Sequence, residues 1–289
     1  MAVSFSRELT PALGRHVQGW KNSLNEAWHP LAMQWAEGLT PTSISSTNVE
    51  HIFPRLDVTD HRHVFKAFDN LSPAAVRVVL LGQDPYPNEA QATGRAFEQG
   101  DLESFRAQKP RVAHSLNMML RMMVKATVIQ ADERPRTKRE DLRTLLAQAP
   151  LKVVSPTQVF DRLVAQGVMF LNASLTISKS ASRRNNDHLR GHLAFWRPFV
   201  QAVLRDLLVR NGSAPVFLLM GKPAQRLFDD MTASTCASTR TRVVRSKHPS
   251  ANSFCREANP FTLVNDELSA AGAQTVKWLP TSLDGASSK

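Results

Sequence analysis

Three polar side chains stand out by their type and by their place. Asp84 lies in Gly82-Gln83-Asp84-Pro85-Tyr86-Pro87 after the apolar run 76–81, and Asn172 in Asn172-Ala173-Ser174 after 168–171. His248 lies in Ser246-Lys247-His248-Pro249-Ser250 after 242–245. A carboxylate can stabilise a developing cation or position a water, and an imidazole can donate a hydrogen bond or move a proton near neutral pH. An amide can read a donor–acceptor pattern. Taken singly, each has an ordinary structural explanation: an aspartate capping a turn before proline, an asparagine closing a turn, a histidine satisfied within the fold. Together on one rim of a sheet they make a candidate site whose chemistry this pattern leaves open.

The elements that would position them follow from the hydrophobic pattern. Runs 76–81, 168–171, 216–220 and 242–245 read as buried strands, separated by helical patterns at 116–125, 161–165, 195–210 and 224–230. Strands alternating with helices predict an α/β fold, a three-layer α/β/α arrangement around a central, mostly parallel four-stranded sheet. Such sheets carry functional loops at the carboxyl ends of their strands. Trp20, Leu24, Trp28, Leu31 and Trp35, at three- and four-residue steps, predict helical packing across 14–38, and Val64, Phe65 and Phe68 a second helix. No repeat or Gly/Ser-rich linker divides the chain, so residues 1–289 are expected to form one domain. Residues 1–50 are its helical N-terminal extension, 125–160 an insertion and 282–289 a flexible tail.

Composition narrows the classes. The 289 residues carry 36 Lys and Arg against 25 Asp and Glu, a net charge of +11, and 42% are hydrophobic, enough for a large core. Gly 12, Pro 17 and Cys 2 exclude collagen-like, disordered and disulfide-scaffold chains. Cys236 and Cys255 are too few for an iron–sulfur cluster or a Cys-rich zinc site, and they suggest a reducing compartment. No apolar run reaches the length of a membrane span, and Arg7 and Glu8 interrupt any secretory signal, so an intracellular location is expected. A pI of about 10.2 favours a polyanionic partner, with positive charge at Lys109 to Arg111, Arg183-Arg184 and Arg240 to Lys247, whereas 133–141 mixes signs. His188 and His192 are spaced i, i+4, but no third metal ligand matches them. They read, like His61 and His63, as solvated histidines, and no metal is expected. There is no Gly-rich phosphate fingerprint. Tyr86 is the single tyrosine, beside 14 Phe and 5 Trp.

At the loops, the sequence resembles the uracil-DNA glycosylase family in its single-domain form. Gly82-Gln83-Asp84-Pro85-Tyr86, with Gly94-Arg95-Ala96-Phe97 at matching distance, resembles that family's water-activating motif. Phe170-Leu171-Asn172-Ala173-Ser174-Leu175-Thr176 is similar to its uracil-reading motif, and His248-Pro249-Ser250 to the start of its leucine-loop motif. The likeness runs over roughly 50–280 and includes Ile52-Phe53-Pro54 and Leu218 to Gln225. It implies a glycosylase that extrudes a base and hydrolyses its N-glycosidic bond without metal or organic cofactor. Asp84 would stabilise the cationic sugar and position the water, and His248, as neutral imidazole, would donate to uracil O2. Asn172 would read N3–H and O4, Phe97 would stack on the ring, Gln83 would add backbone contacts, and Tyr86 would exclude thymine's methyl. Ser115 and Ser250 resemble the family's phosphate-gripping serines. DNA is the implied partner, with a DNA-mimicking protein inhibitor as a further one. The implied protein is a monomer of the cytoplasm and nucleoid, or of the nucleus in a eukaryotic host.

Four departures qualify the resemblance. Pro87 stands where the family has histidine, and Asn252 where it has the wedge leucine, with Phe254 as a substitute wedge two residues on. The phosphate loop is reduced to Lys109-Pro110-Arg111-Val112-Ala113-His114-Ser115, and 125–160 is longer than the family's connection. Neither His188 nor His192 has the family's spacing to Trp196. These departures leave two alternatives: excision of another modified pyrimidine, such as hypermodified cytosine in viral DNA, and a non-catalytic DNA-binding module. Tyr86 and Asn172 weigh against the first, and the complete Asp84, Asn172 and His248 set against the second.

Overall fold

A computed structural model describes residues 12–38, 52–56, 62–105, 109–128, 156–178, 186–209, 214–233 and 241–279, with the side chains of 128 and 186–188 left aside. Its elements are, in chain order, α1 (His29–Glu37), β1 (Ile52–Phe53), β2 (Val78–Gly82), α2 (His114–Val128), α3 (Pro156–Val164), β3 (Val168–Asn172) and β4 (Ile177–Ser178). They continue with α4 (Asn186–Val209), β5 (Val216–Met220), α5 (Lys222–Ala233), β6 (Val243–Ser246) and α6 (Pro260–Ala270).

The four expected strands form one parallel sheet in the order β3-β2-β5-β6. Every residue of β2, β3 and β5 is buried, as uninterrupted Val, Leu, Phe and Met runs require when helices cover a parallel sheet. Register is what matters for the site. Gly82 pairs with Asn172 and Met220 with Ser246, while Leu81 pairs with both Leu171 and Leu219. The carboxyl ends of all four strands are therefore level, and the loops carrying Asp84, Asn172 and His248 leave from one rim.

The flanking elements differ from the sequence pattern where tertiary packing overrides periodicity. The tryptophan-bearing stretch is no single helix. Gly19 adopts φ 84, the Asn25 side chain accepts from Ala27 N–H, and the chain passes through 3-10 turns at Trp20–Asn22 and Glu26–Trp28 before α1. Trp35 nonetheless meets α4, stacking on Trp196 at 5.1 Å between centroids. The second expected helix is one 3-10 turn, Lys66–Phe68, because burying Phe65 and Phe68 needs only that turn. Of the insertion, 125–128 continue α2 and 156–160 open α3; 129–155 lie outside the described residues, as do the tail and His61. The pair β1 and β4, antiparallel and two residues each, is too short to leave a periodic signal.

Two histidines expected in solvent are interior. His63 Nε2 contacts Asp69 Oδ2 at 2.7 Å, and His192, fully buried on α4, places Nδ1 2.9 Å from Thr176 Oγ1. The same hydroxyl accepts from Trp196 Nε1 at 2.7 Å, and Ser174 Oγ donates to Thr176 O at 2.8 Å. Among the described residues, no three His, Cys, Asp or Glu side chains gather as a metal site would need. Nor is any described helix long and apolar enough to cross a membrane.

This hydroxyl anchors the turn that follows Asn172. Thr176→Val keeps the shape and leaves two buried ring nitrogens facing a methyl group. It is expected to cost about 1–3 kcal/mol in urea unfolding.

Candidate active site

The carboxyl rim encloses a cavity of about 650 Å³, walled by the 83–87 loop, Phe97, the 113–115 segment at the start of α2, and the His248 and Ser250 loop. Ile177 and Leu189 close one side. Asp84, Gln83, Tyr86, Phe97, Ser115, His248 and Ser250, all anticipated from sequence, thus come together.

Asn172, 2% exposed, stands immediately behind this wall. A Cβ on Gly82 would lie 2.6 Å from Asn172 Oδ1 and 3.2 Å from the Phe97 ring, so only glycine lets amide and ring approach across the end of β2. Gly221 serves His248 in the same way. Its φ is +94, and a Cβ there would come within 3.0 Å of His248 Cβ.

Electrostatics separate the two ionisable groups. Burial pushes the Asp84 carboxyl up from 3.8 to about 6. Burial also lowers the His248 imidazole, so the ring is neutral at pH 7. Its proton can be located. Ser250 N–H, which can only donate, points at Nδ1 at 3.1 Å, and Ser250 Oγ lies 2.7 Å from the same nitrogen. Nδ1 is therefore an acceptor, and the proton of the neutral ring sits on Nε2. The ring packs against Phe97 at 5.7 Å between centroids.

Tyr86 is pinned at its hydroxyl. The O–H donates to Phe97 O at 3.3 Å and meets Ser115 Oγ at 3.1 Å. Burial pushes the phenol up to about 12, against hydrogen bonds from Ser115 and the Leu116 backbone, so it stays neutral. Phe97 itself holds φ 65, an uncommon conformation for a bulky residue that persists only where its surroundings over-determine it. A buried ion network borders it: Lys66 Nζ lies 3.0 Å from Glu98 Oε2, and Arg95 Nη1 lies 3.5 Å from Glu98 Oε1 and 2.6 Å from Asp161 Oδ1 on α3.

Two expectations change. Phe254, offered as a wedge, is 1% exposed in the hydrophobic core and cannot reach a DNA stack without unpacking, which leaves Asn252, exposed like Ser250, at the wedge position. The positive run at 240–247 is partly neutralised, since Arg245 pairs with Asp229 and Lys247 with Glu257. Lys109 and Arg111 are exposed beside the cavity and form no ion pair among the described residues. Arg183, Arg184 and Arg240 lie outside them. Sequence reasoning missed His114, Leu189 and Ile177 as wall residues. His114 could have been found from its place beside Ser115, but Leu189, in a polar stretch, gave no signal.

Residues 68–269 match the family model described as the uracil DNA glycosylase superfamily. Similar proteins include the uracil-DNA glycosylase of Chromobacterium violaceum, 29% identical over 273 residues, covering 93% of this chain and 94% of that one. That of Streptococcus gordonii is 30% identical over 220 residues, covering 75% and 81%. Among solved structures, the UNG of Nitratifractor salsuginis superposes with a TM-score of 0.63 at 20% identity, covering 93% of this chain and 97% of that one. A mimivirus UNG variant in complex with UGI superposes at 0.57 and 17%, covering 89% and 90%.

The burial of Asp84 has a thermodynamic consequence. A folded pKa of about 6 above an ordinary 3.8 means the folded state disfavours the ionised form. That penalty is absent below pH 3.8 and complete above about 6. Asp84→Asn is therefore expected to be more stable than wild type at pH 7.5, by up to about 3 kcal/mol. In thermal melts the gap should close as pH falls from 6 to 4.

Proposed function

The chain belongs to the uracil-DNA glycosylase superfamily, and on that premise we propose that it hydrolyses the N-glycosidic bond of uracil in DNA, releasing the base and leaving an abasic site for base excision repair. The observation that carries this reading is the convergence of a half-buried carboxylate and a neutral imidazole, its proton on Nε2, on one cavity beside Asn172. DNA is the proposed partner, reached through Lys109, Arg111, Ser115, Ser250 and Asn252 on the cavity rim, and no metal or organic cofactor takes part.

As the C1′–N1 bond lengthens, its electron pair moves into the uracil ring and positive charge builds on the sugar. Asp84 faces that charge as a carboxylate and orients the water that adds at C1′, taking the proton this water sheds, which the released uracil anion finally accepts. His248 Nε2–H donates to O2, where the departing base gathers negative charge, and a preorganised donor needs no reorientation. Asn172 matches N3–H and O4 with its carbonyl and NH2, the reverse of the pattern cytosine presents. Phe97 gives the base a stacking face worth about 1–3 kcal/mol. The pinned Tyr86 ring occupies the space a C5 substituent would need, which weighs against a hypermodified pyrimidine.

Release of free uracil from a uracil-containing oligonucleotide tests the reading, and no release by wild type would sink it. Asp84→Asn is expected to lose about 10²–10⁴-fold and His248→Leu about 10²–10³-fold. Because the reaction needs the Asp84 carboxylate, kcat/KM should fall on the acid side with a midpoint at about 6. Undiminished release by the double variant would count decisively against these assignments. Removing the steric block with Tyr86→Ala should let thymine be released from thymine-containing duplex, at a rate wild type does not show. Continued rejection of thymine would remove Tyr86 as the selectivity element.

A further inference from the structure

Gln99 lies two residues beyond Phe97, is 1% exposed and uses its whole side-chain amide. Its Oε1 accepts from Ala113 N–H at 2.7 Å, and its Nε2 donates to Arg111 O at 3.1 Å and to Asp101 Oδ1 at 2.7 Å. One backbone donor and two acceptors fix which end of the amide is which. Asp101 is itself steadied by Gln91 Nε2 at 3.3 Å, and the Gln99 backbone is bridged to Ala92. The partners at 111 and 113 belong to the segment that delivers His114 and Ser115 to the cavity. Among the described residues that segment has no strand of its own to hold it, and a further tie to the base side of the cavity is the Tyr86 hydroxyl at Ser115.

We propose that Gln99 is a positioning residue that locks the 109–115 loop, the phosphate side of the site, to the segment carrying Phe97, its base side. The inference rests on the function proposed above. A flipped nucleotide must be gripped at base and backbone in one geometry, and displacements of about an ångström between such contacts are costly. Gln99 touches neither base nor phosphate. Its effect runs through Ala113 and Arg111, so its loss should weaken the hold on the DNA chain while leaving the base contacts intact.

The test is Gln99→Met, which keeps the length and removes the hydrogen bonds, paired with Ala113→Pro, which deletes the same bond from the other partner just ahead of α2, where proline fits. Amide exchange at Ala113 in Gln99→Met should accelerate at least tenfold while that of Phe217 in β5 stays as in wild type. In both variants KM for uracil-containing duplex should rise on the order of tenfold; in Gln99→Met, whose side chain is outside the cavity wall, kcat should stay within threefold and inhibition by free uracil unchanged. Wild-type exchange at Ala113 or an unchanged KM would overturn the proposal. A parallel loss of kcat and uracil inhibition in Gln99→Met would do so too, since it would mean the base wall had moved. If Gln99→Met does not fold, KM is read on Ala113→Pro, where a tenfold rise supports the lock and an unchanged KM overturns it. If wild type releases no uracil, the proposed function fails by itself. The lock is then judged on Ala113 exchange and on anisotropy with an abasic-site duplex, where tenfold weaker binding supports it and equal binding overturns it.

Discussion

The end of β2 has no room for a methyl group, and much of the site depends on that constraint. With hydrogen alone at Gly82, the Asn172 amide from the neighbouring strand and the Phe97 ring from a distant loop share the space above one backbone position. The parallel register sets Asn172 opposite Gly82, and the loop to Asp84 begins on the next residue. Gly221, at the end of the neighbouring strand β5, repeats the device for His248. Groups from four parts of the chain therefore meet without long side chains having to reach for one another. Short reach costs little conformational entropy and keeps the geometry stiff.

The same closeness withdraws the site's two titrating groups partly from water, and this desolvation acts on both in the same direction. Both Asp84 and His248 are pushed towards their uncharged forms by desolvation. For His248 this suits a donor that faces a developing anion as neutral imidazole, with Ser250 N–H choosing the tautomer. For Asp84 it is a stability cost, held in place because the sheet and its aromatic flanks supply a large core. Strain is handled likewise: the left-handed Phe97 lies between the buried Arg95–Glu98–Lys66 charges on both sides and Gln99 beyond them.

What could be read in advance divides along physical lines. Strands β2, β3 and β5 were legible because sheet residues buried on both faces leave unbroken apolar runs, the edge strand β6 only from Val243-Val244, and Asp84, Asn172 and His248 because they sit in the loops that follow. Trp20 to Trp35 misled because buried aromatics recur at helical steps even when Gly19 and Asn25 divide the stretch into turns. His192 and Phe254 misled because a side chain's facing is decided by tertiary packing: one helix turn sets His192 against Thr176, and one 3-10 turn sends Phe254 inward. Gln99 left no trace, since the two backbone partners that make its amide a lock are more than ten residues away and leave no sequence pattern.

Arg95 gives the stacking wall a foothold outside the sheet. Its guanidinium reaches Asp161 on α3, the first described element after 129–155. Loops generally absorb added or lost residues at small entropic cost, since closure entropy grows only with the logarithm of length. Where α3 opens, the helix must land with Asp161 over Arg95 and with Val159, Phe160 and Leu163 in the core, so any change of length upstream has to leave that landing point unmoved.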